Sequence, residues 1–337
     1  MNVLAESLAG SPALIPHSLD LDRLTITLLR LSRADYEAAS FLDARIEDPA
    51  RLIQQLTWAE LASAVDQTDL SESCHFIFHI GHVGSTLLSR LLGKHPAILS
   101  LREPQILRTL AQATRQQRDA HLPAILKLLS RTFEPGARAL VKTTSFVSEI
   151  SAELLARSYA PRALVMGVAP ETYLASIFGG ANSPLEARML ARSRLTRLAA
   201  RMGAAWTLAE LGEGEVVALG WACEASALAD AEQRATLRVQ ALDFDDFLAD
   251  PQIALARVFA HFSIDVDACE IARVLSGPEM RTYSKAPQYA YDRELRRSVL
   301  DQGRRNHARE INRGLSWLDR AANELPQLRT ALALFEK

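Results

Sequence analysis

The residues with the clearest chemical promise lie at His79-Ile80-Gly81-His82-Val83-Gly84-Ser85-Thr86-Leu87, where an apolar run hands over to a helical pattern. Gly81 and Gly84 let the backbone curl, and the first amides of the following helix are then free to bind an anion, assisted by the helix dipole. Phosphate is the natural ligand. The spacing GxxxxGK[ST] is absent because Ser85, not Lys, follows Gly84, so the usual cation for β and γ phosphates is missing. A tight strand-to-helix turn capped by Ser85 accounts for the same residues without a ligand. His82 stays open between a solvated loop histidine and a protonated anion ligand or acid. No His, Asp and Glu cluster has metal-ligand spacing, so no metal is expected. The pair Asp245-Asp246 reads more easily as a helix cap than as magnesium ligands.

The elements that must position this loop follow from periodicity. His75 to Ile80 is a short apolar run stopped by Gly81, which predicts a buried strand. Leu87, Leu88, Leu91 and Leu92 fall at helical spacing, and Gly93 with Pro96 ends that helix. Further strands are expected at Ile98 to Leu101, Ala139 to Thr143, Ala163 to Val168 and Leu237 to Leu242. Helices are expected at Gln105 to Arg118, Leu122 to Thr132, Val147 to Ser158, Pro184 to Leu211, Gly220 to Ala231 and Pro251 to Phe262. This alternation is α/β grammar and predicts a doubly wound parallel sheet of about five strands flanked by helices. Upstream, residues 13 to 31 suit a strand pair, and Ser32 to Arg45 and Pro49 to Ser63 look helical. The chain then divides into an N-terminal extension over 1–72, a core over 73–265 and a helical C-terminal region over 266–337. An irregular stretch from Gly277 to Tyr291 interrupts the last of these.

Composition bounds the function. The 337 residues are 48% hydrophobic and 23% charged, which excludes global disorder. A net charge of -2 gives no general attraction to nucleic acid or anionic lipid, so any polyanion site is local. The 38 basic residues comprise 33 Arg and 5 Lys, which makes Lys the more informative cation. Cys74, Cys223 and Cys269 show no CxxC spacing and argue against a disulfide framework. Met1 to Gly10 lacks a basic, then apolar, leader pattern, and no stretch reaches about 18 uninterrupted apolar residues. A cytoplasmic protein without a membrane span is expected.

The stretch Phe76 to Pro96, FIFHIGHVGSTLLSRLLGKHP, resembles the 5′-phosphosulfate-binding loop of the sulfotransferase superfamily. That family's pattern is a strand, then G-x-P-[KR]-S-G-T-T, then an apolar helix and often His-Pro. Four further segments resemble the family in the same order. Leu101-Arg102-Glu103-Pro104 resembles the segment that carries a catalytic glutamate in tyrosylprotein and related bacterial members, and Val141-Lys142-Thr143-Thr144 the strand end that carries a Lys. Ala163 to Ser176 resembles the 3′-phosphate-binding strand and helix, and Val239 to Pro251 the V-x-Y-E-D-L-x-x-D-P segment. Three positions depart from the pattern. His82 stands for the loop Lys or Arg, Val168 for the Arg of R-D-P, and Thr144 for the His of K-T-H.

The resemblance implies transfer of a sulfuryl group from 3′-phosphoadenosine-5′-phosphosulfate (PAPS), a co-substrate, to a hydroxyl of a small molecule, glycan or peptide. It implies that Gly81, Gly84, Ser85 and Thr86 hold the 5′ phosphosulfate, that Lys142 and His82 supply charge, and that Glu103 is the base. Ser176, with Lys285 from the basic-aromatic stretch Tyr283-Ser284-Lys285-Ala286-Pro287, would hold the 3′-phosphate. Read from the residues alone, Glu103 is a helix N-terminal carboxylate and Lys142 a surface or ion-paired lysine. Arg188, Arg192, Arg194, Arg197 and Arg201 read as a solvated helix face, and Trp206 and Trp221 as core or interface residues. The departures keep open a degenerate nucleotide- or phosphate-binding protein of the same fold. An ATP-dependent kinase on this fold lacks its Walker lysine.

Overall fold

The computed structural model describes residues 3–286 and 288–335, so Pro287 of the basic-aromatic stretch lies outside the described residues, as do Met1 and Asn2. Two sheets form the frame. An antiparallel sheet of order β1-β2-β3 is built from β1 (Leu14–Asp20), β2 (Thr25–Arg30) and β3 (Leu52–Thr57). The larger sheet joins β4 (His75–His79), β5 (Ile98–Arg102), β6 (Arg138–Lys142), β7 (Ala163–Gly167) and β8 (Val239–Asp243). Its order is β5-β6-β4-β7-β8 and every pairing is parallel. All residues of β4, β5 and β7 are buried, as strands covered by helices on both faces must be.

Because the winding reverses direction at β4, the carboxyl ends of β4, β6 and β5 open on one edge around a topological switch point, where α/β sheets bind ligands. The expected parallel sheet is therefore present. Its last strand starts at Val239 rather than Leu237, because Thr236–Arg238 closes as a 3-10 turn behind the long helix Glu213–Arg234.

Several local expectations are overturned by tertiary partners. The helix expected from Pro49 begins only at Trp58, since Leu52–Thr57 is drawn into the sheet by β2. Thr57 and Glu60 then form a capping box. The helix expected over Ser32 to Arg45 stops at Ala38, and Ala44–Ile46 is a 3-10 turn. The buried guanidinium of Arg102 explains that stop, because it takes the backbone carbonyls of Tyr36, Glu37 and Ala39. Gln105 to Arg118 is two helices, Gln105–Gln112 and Arg115–Leu129, separated by the Thr114 cap. Val147 to Ser158 is a 3-10 segment, Ser145–Ile150, leading into the short helix Ser151–Leu155.

The helix Ser183–Met202 also departs from expectation in its chemistry. Arg188 and Arg192 face outward, but Arg194 is buried, and Arg197 and Arg201 are largely so, facing Glu224 and Glu149. A fully solvated face is therefore wrong: the Glu213–Arg234 helix packs on this one and supplies Glu224. Trp221 is core, with its indole N–H donating to the Val168 carbonyl at 3.0 Å, and Trp206 packs edge-on against Trp317. Near the C-terminus the helix Arg293–Asn306 lies so close to Pro170–Gly179 that a Cβ on Gly303 would sit 2.4 Å from the Ala175 carbonyl oxygen. Among the described residues no helix is long and apolar enough to cross a membrane.

Candidate active site

The loop after β4 is held by a residue that motif reading passed over. His79 is buried, with Nε2 donating to the Thr143 carbonyl at 2.8 Å and Nδ1 accepting the Gly81 N–H at 3.0 Å. Burial, reinforced by Lys142, pushes its pKa well below the ordinary histidine value, so the ring is a neutral brace between β4 and β6. The backbone then enters the left-handed region at Gly81, His82 and Gly84, with φ of 88°, 57° and 66°. Gly84, not Ser85, is the N-cap of the helix Ser85–Leu92, and it offers no side-chain cap to the first amides. A Cβ on Gly84 would fall 2.0 Å from the Phe244 ring, so both its φ and its packing demand glycine.

These amides border a cavity of about 650 Å³ whose walls include His82, Gly84, Ser85, Thr86, Lys142 and Ser176. Lys285 also lines it, carried on a strap whose Thr282 and Ala290 form an isolated bridge. The strap is tied down at the Ser284 carbonyl, which accepts Arg90 Nε at 3.0 Å. Two of the expected residues stand apart. Gly81 does not line the cavity and spends its N–H on His79, and Glu103 lies behind Lys142.

His82 lines the cavity but does not bring the charge expected of it. Burial first, then Lys285 and Arg194, lower its pKa to about 3, leaving a neutral imidazole at pH 7. Val168 is buried in the core and does not line the cavity. Two further cations stand on the helix Arg293–Asn306: Arg293, which belongs to the basic-aromatic stretch of the sequence, and Arg296, which sequence reading missed. Arg293 and Arg296 line the cavity, and Arg296 is buried, pairs with Asp245 at 2.8 Å and lies 4.8 Å over the Phe244 ring. Asp243, not the expected pair Asp245-Asp246, caps the helix Phe244–Ala249.

At the adjoining ends of β5 and β6, Lys142 and Glu103 meet. Lys142 is fully buried, ion-pairs with Glu103 and donates to Thr86 Oγ1 at 3.3 Å. Burial lowers its pKa to about 8 against the opposing pull of Glu103. Glu103 sits at φ 54° and donates its backbone N–H to the Lys142 carbonyl at 2.6 Å. Its side chain lines a second cavity of about 540 Å³. Lys142 thus borders the loop cavity while its partner borders the next one.

No family model matches the sequence, and no curated protein does. Among solved structures, the chain is similar to sulfotransferase STF9 from Mycobacterium avium, with 12% identity over 90% of this chain and 94% of that one and a TM-score of 0.42. It is similar to the sulfotransferase domain of the Synechococcus PCC 7002 olefin synthase, with 14% identity over 71% and 90% and a TM-score of 0.41. It is also similar to retinol dehydratase in complex with androsterone and inactive cofactor PAP, with 12% identity over 96% and 95% and a TM-score of 0.36. This chain is similar in structure to solved sulfotransferases.

Proposed function

We propose that the protein transfers a sulfuryl group from PAPS to a hydroxyl acceptor. The observation that carries this reading is the Lys142–Glu103 pair, whose ammonium borders the cavity of the helix-capping loop and whose carboxylate borders a neighbouring cavity. A cation on the donor side and a carboxylate on the acceptor side are the parts that an in-line transfer with a loose transition state requires. The loop cavity fits the donor in chemistry. It has the size of a nucleotide site, uncapped helix amides beside Ser85 and Thr86, and Lys285, Arg293 and Arg296 along its length.

PAPS, when bound, supplies the sulfuryl group and carries away the charge of the leaving phosphate. Ser85, Thr86 and the first amides of their helix hold its 5′ side, and Gly81 and Gly84 shape the loop that exposes those amides. Lys142, held at Thr86 Oγ1, supplies positive charge in a dry site, where it acts most strongly. His82 offers a neutral hydrogen bond. Glu103 takes the proton of the acceptor hydroxyl on a carboxylate oxygen, while Lys142 keeps that carboxylate oriented. Ser176 and Lys285 meet the 3′-phosphate, with Arg296 near in place of the arginine that Val168 lacks.

Calorimetric titration with 3′,5′-adenosine bisphosphate, against ATP and inorganic phosphate, tests the donor site without an acceptor. Selective micromolar binding is expected, followed by turnover of PAPS. Absence of selective binding overturns the reading. The enclosed Val168 favours one alternative, a nucleotide-binding relative without turnover, and selective binding with no sulfuryl transfer across phenol, sugar and peptide hydroxyls would establish it.

A further inference from the structure

The second cavity has a composition that selects its occupant. Asp43 and Arg45 form one ion pair in its wall, and Glu103 is paired with Lys142 behind it. Those charges cancel, and Arg108 is left. The Arg108 side chain is exposed and has no ion pair or hydrogen bond among the described residues. It belongs to the helix Gln105–Gln112, whose positions 105, 108, 109 and 112 share one face and all line the cavity, while Ile106, Leu107 and Leu110 are buried. An unpaired arginine on an exposed helix would mean little alone. Thr144, which also lines the cavity, keeps its Oγ1 without a hydrogen-bond partner, so the wall holds an unspent polar group besides Arg108. Only Ala44 in the lining is apolar.

The wall is rigidly placed. Leu42 donates its N–H to the Arg102 carbonyl at 2.6 Å and accepts the Gln105 N–H at 3.0 Å, and the Arg102 guanidinium clamps residues 36, 37 and 39. This docking sets Asp43–Arg45 beside Glu103, so the segment before the main sheet shapes the acceptor cavity.

We infer that the acceptor is a hydroxyl compound carrying a carboxylate, seated between Glu103 and Arg108, with the carboxylate on the Arg108 guanidinium and the hydroxyl toward Glu103. This rests on the sulfotransferase reading of the same site and narrows its acceptor class. A guanidinium without a competing acid matches a carboxylate in two parallel hydrogen bonds, and the paired Arg45 does not compete for it. A hydrophobic phenol or steroid alcohol finds no apolar wall here.

The test uses 4-hydroxyphenylacetate and its neutral counterpart 4-methylphenol as calorimetric probes, each titrated into the full chain with and without saturating 3′,5′-adenosine bisphosphate. The acid is expected to bind at least ~10-fold more tightly than 4-methylphenol, as a hydrogen-bonded charge pair supplies. Arg108→Ala is expected to bring the two probes within about twofold of each other, and Arg108→Lys to retain part of the preference. Because Arg108 is exposed, neither substitution threatens the fold. Equal affinities, no measurable binding of the acid, or a preference that survives Arg108→Ala overturns the inference. Failure of the bisphosphate to bind while the acid binds through Arg108 would instead sink the donor reading and leave this cavity as a carboxylate site.

Discussion

The Lys142 ammonium and the Glu103 carboxylate form an ion pair across two adjoining strand ends, with side-chain exposures of 1% and 12%. A backbone hydrogen bond from Glu103 N–H to the Lys142 carbonyl at 2.6 Å ties the same two residues a second time. The pair is therefore fixed in both main chain and side chain, with Glu103 toward the polar cavity and Lys142, held at Thr86, toward the loop cavity.

Removing that cation should be costly to turnover. Lys142→Ala is expected to lower kcat by at least ~10²-fold, since it deletes charge aimed at the transition state. Lys142→Met, which keeps the volume, separates lost charge from lost packing. Steady-state kinetics with circular dichroism of both variants checks this, and undiminished kcat in a folded Lys142→Met protein removes the residue from the mechanism.

Activity should fall on the alkaline side of neutrality. Burial places the Lys142 pKa at about 8, so its charge is present below that pH and lost as pH rises through it. A profile of kcat/KM from pH 6 to 10 is expected to show a descending limb near pH 8. A flat profile to pH 10 contradicts the role assigned to the ammonium.

Gly84→Ala should damage both loop and core, because its Cβ meets the Phe244 ring at 2.0 Å and its φ is 66°. The double variant Gly84→Ala with Phe244→Ala relieves the clash but not the backbone strain of about 1–2 kcal/mol. Urea unfolding should show the double variant losing less stability than the sum of the two single variants. Strict additivity would mean that the ring yields freely.

His82 should make the fold acid-labile. Its folded pKa of about 3 lies below the ordinary value of 6.5, so the unfolded chain binds more protons between those limits. Its contribution is complete above pH 6.5 and lost as pH falls toward 3. His82→Asn tolerates the positive φ and removes the titration. Near pH 5 the unfolding free energy of the variant should depend on pH less steeply, by roughly one proton. An unchanged slope would place the His82 ring in water.

The Arg102 guanidinium should hold the 36–42 segment in place. Arg102→Leu is expected to raise amide hydrogen exchange of the Arg33–Ala38 helix and of Leu42 by at least ~10-fold, since three charge-assisted bonds to backbone carbonyls vanish together. Exchange confined to wild-type rates would show that apolar packing alone docks this segment.

Features that depend on neighbours along the chain were readable from the amino-acid sequence. His75 to Ile80 followed by Gly81, Gly84 and the leucine spacing specified a strand, a glycine loop and a helix, and the same grammar repeated downstream predicted a parallel sheet of about five strands. The resemblance also nominated Lys142 and Glu103 one at a time. What tertiary structure decided is everything set by long-range partners. Pairing with β2 made a strand of Leu52–Thr57, and Arg102 cut short the helix begun at Arg33. Glu103 and Lys142, 39 positions apart, became one buried pair. Charge was decided the same way, because a side chain's pKa depends on its solvent exposure and neighbours rather than its type. Enclosure made His82 neutral, drew Arg194 into the interior, and set Arg296 beside Phe244 at the wall that Val168 does not reach.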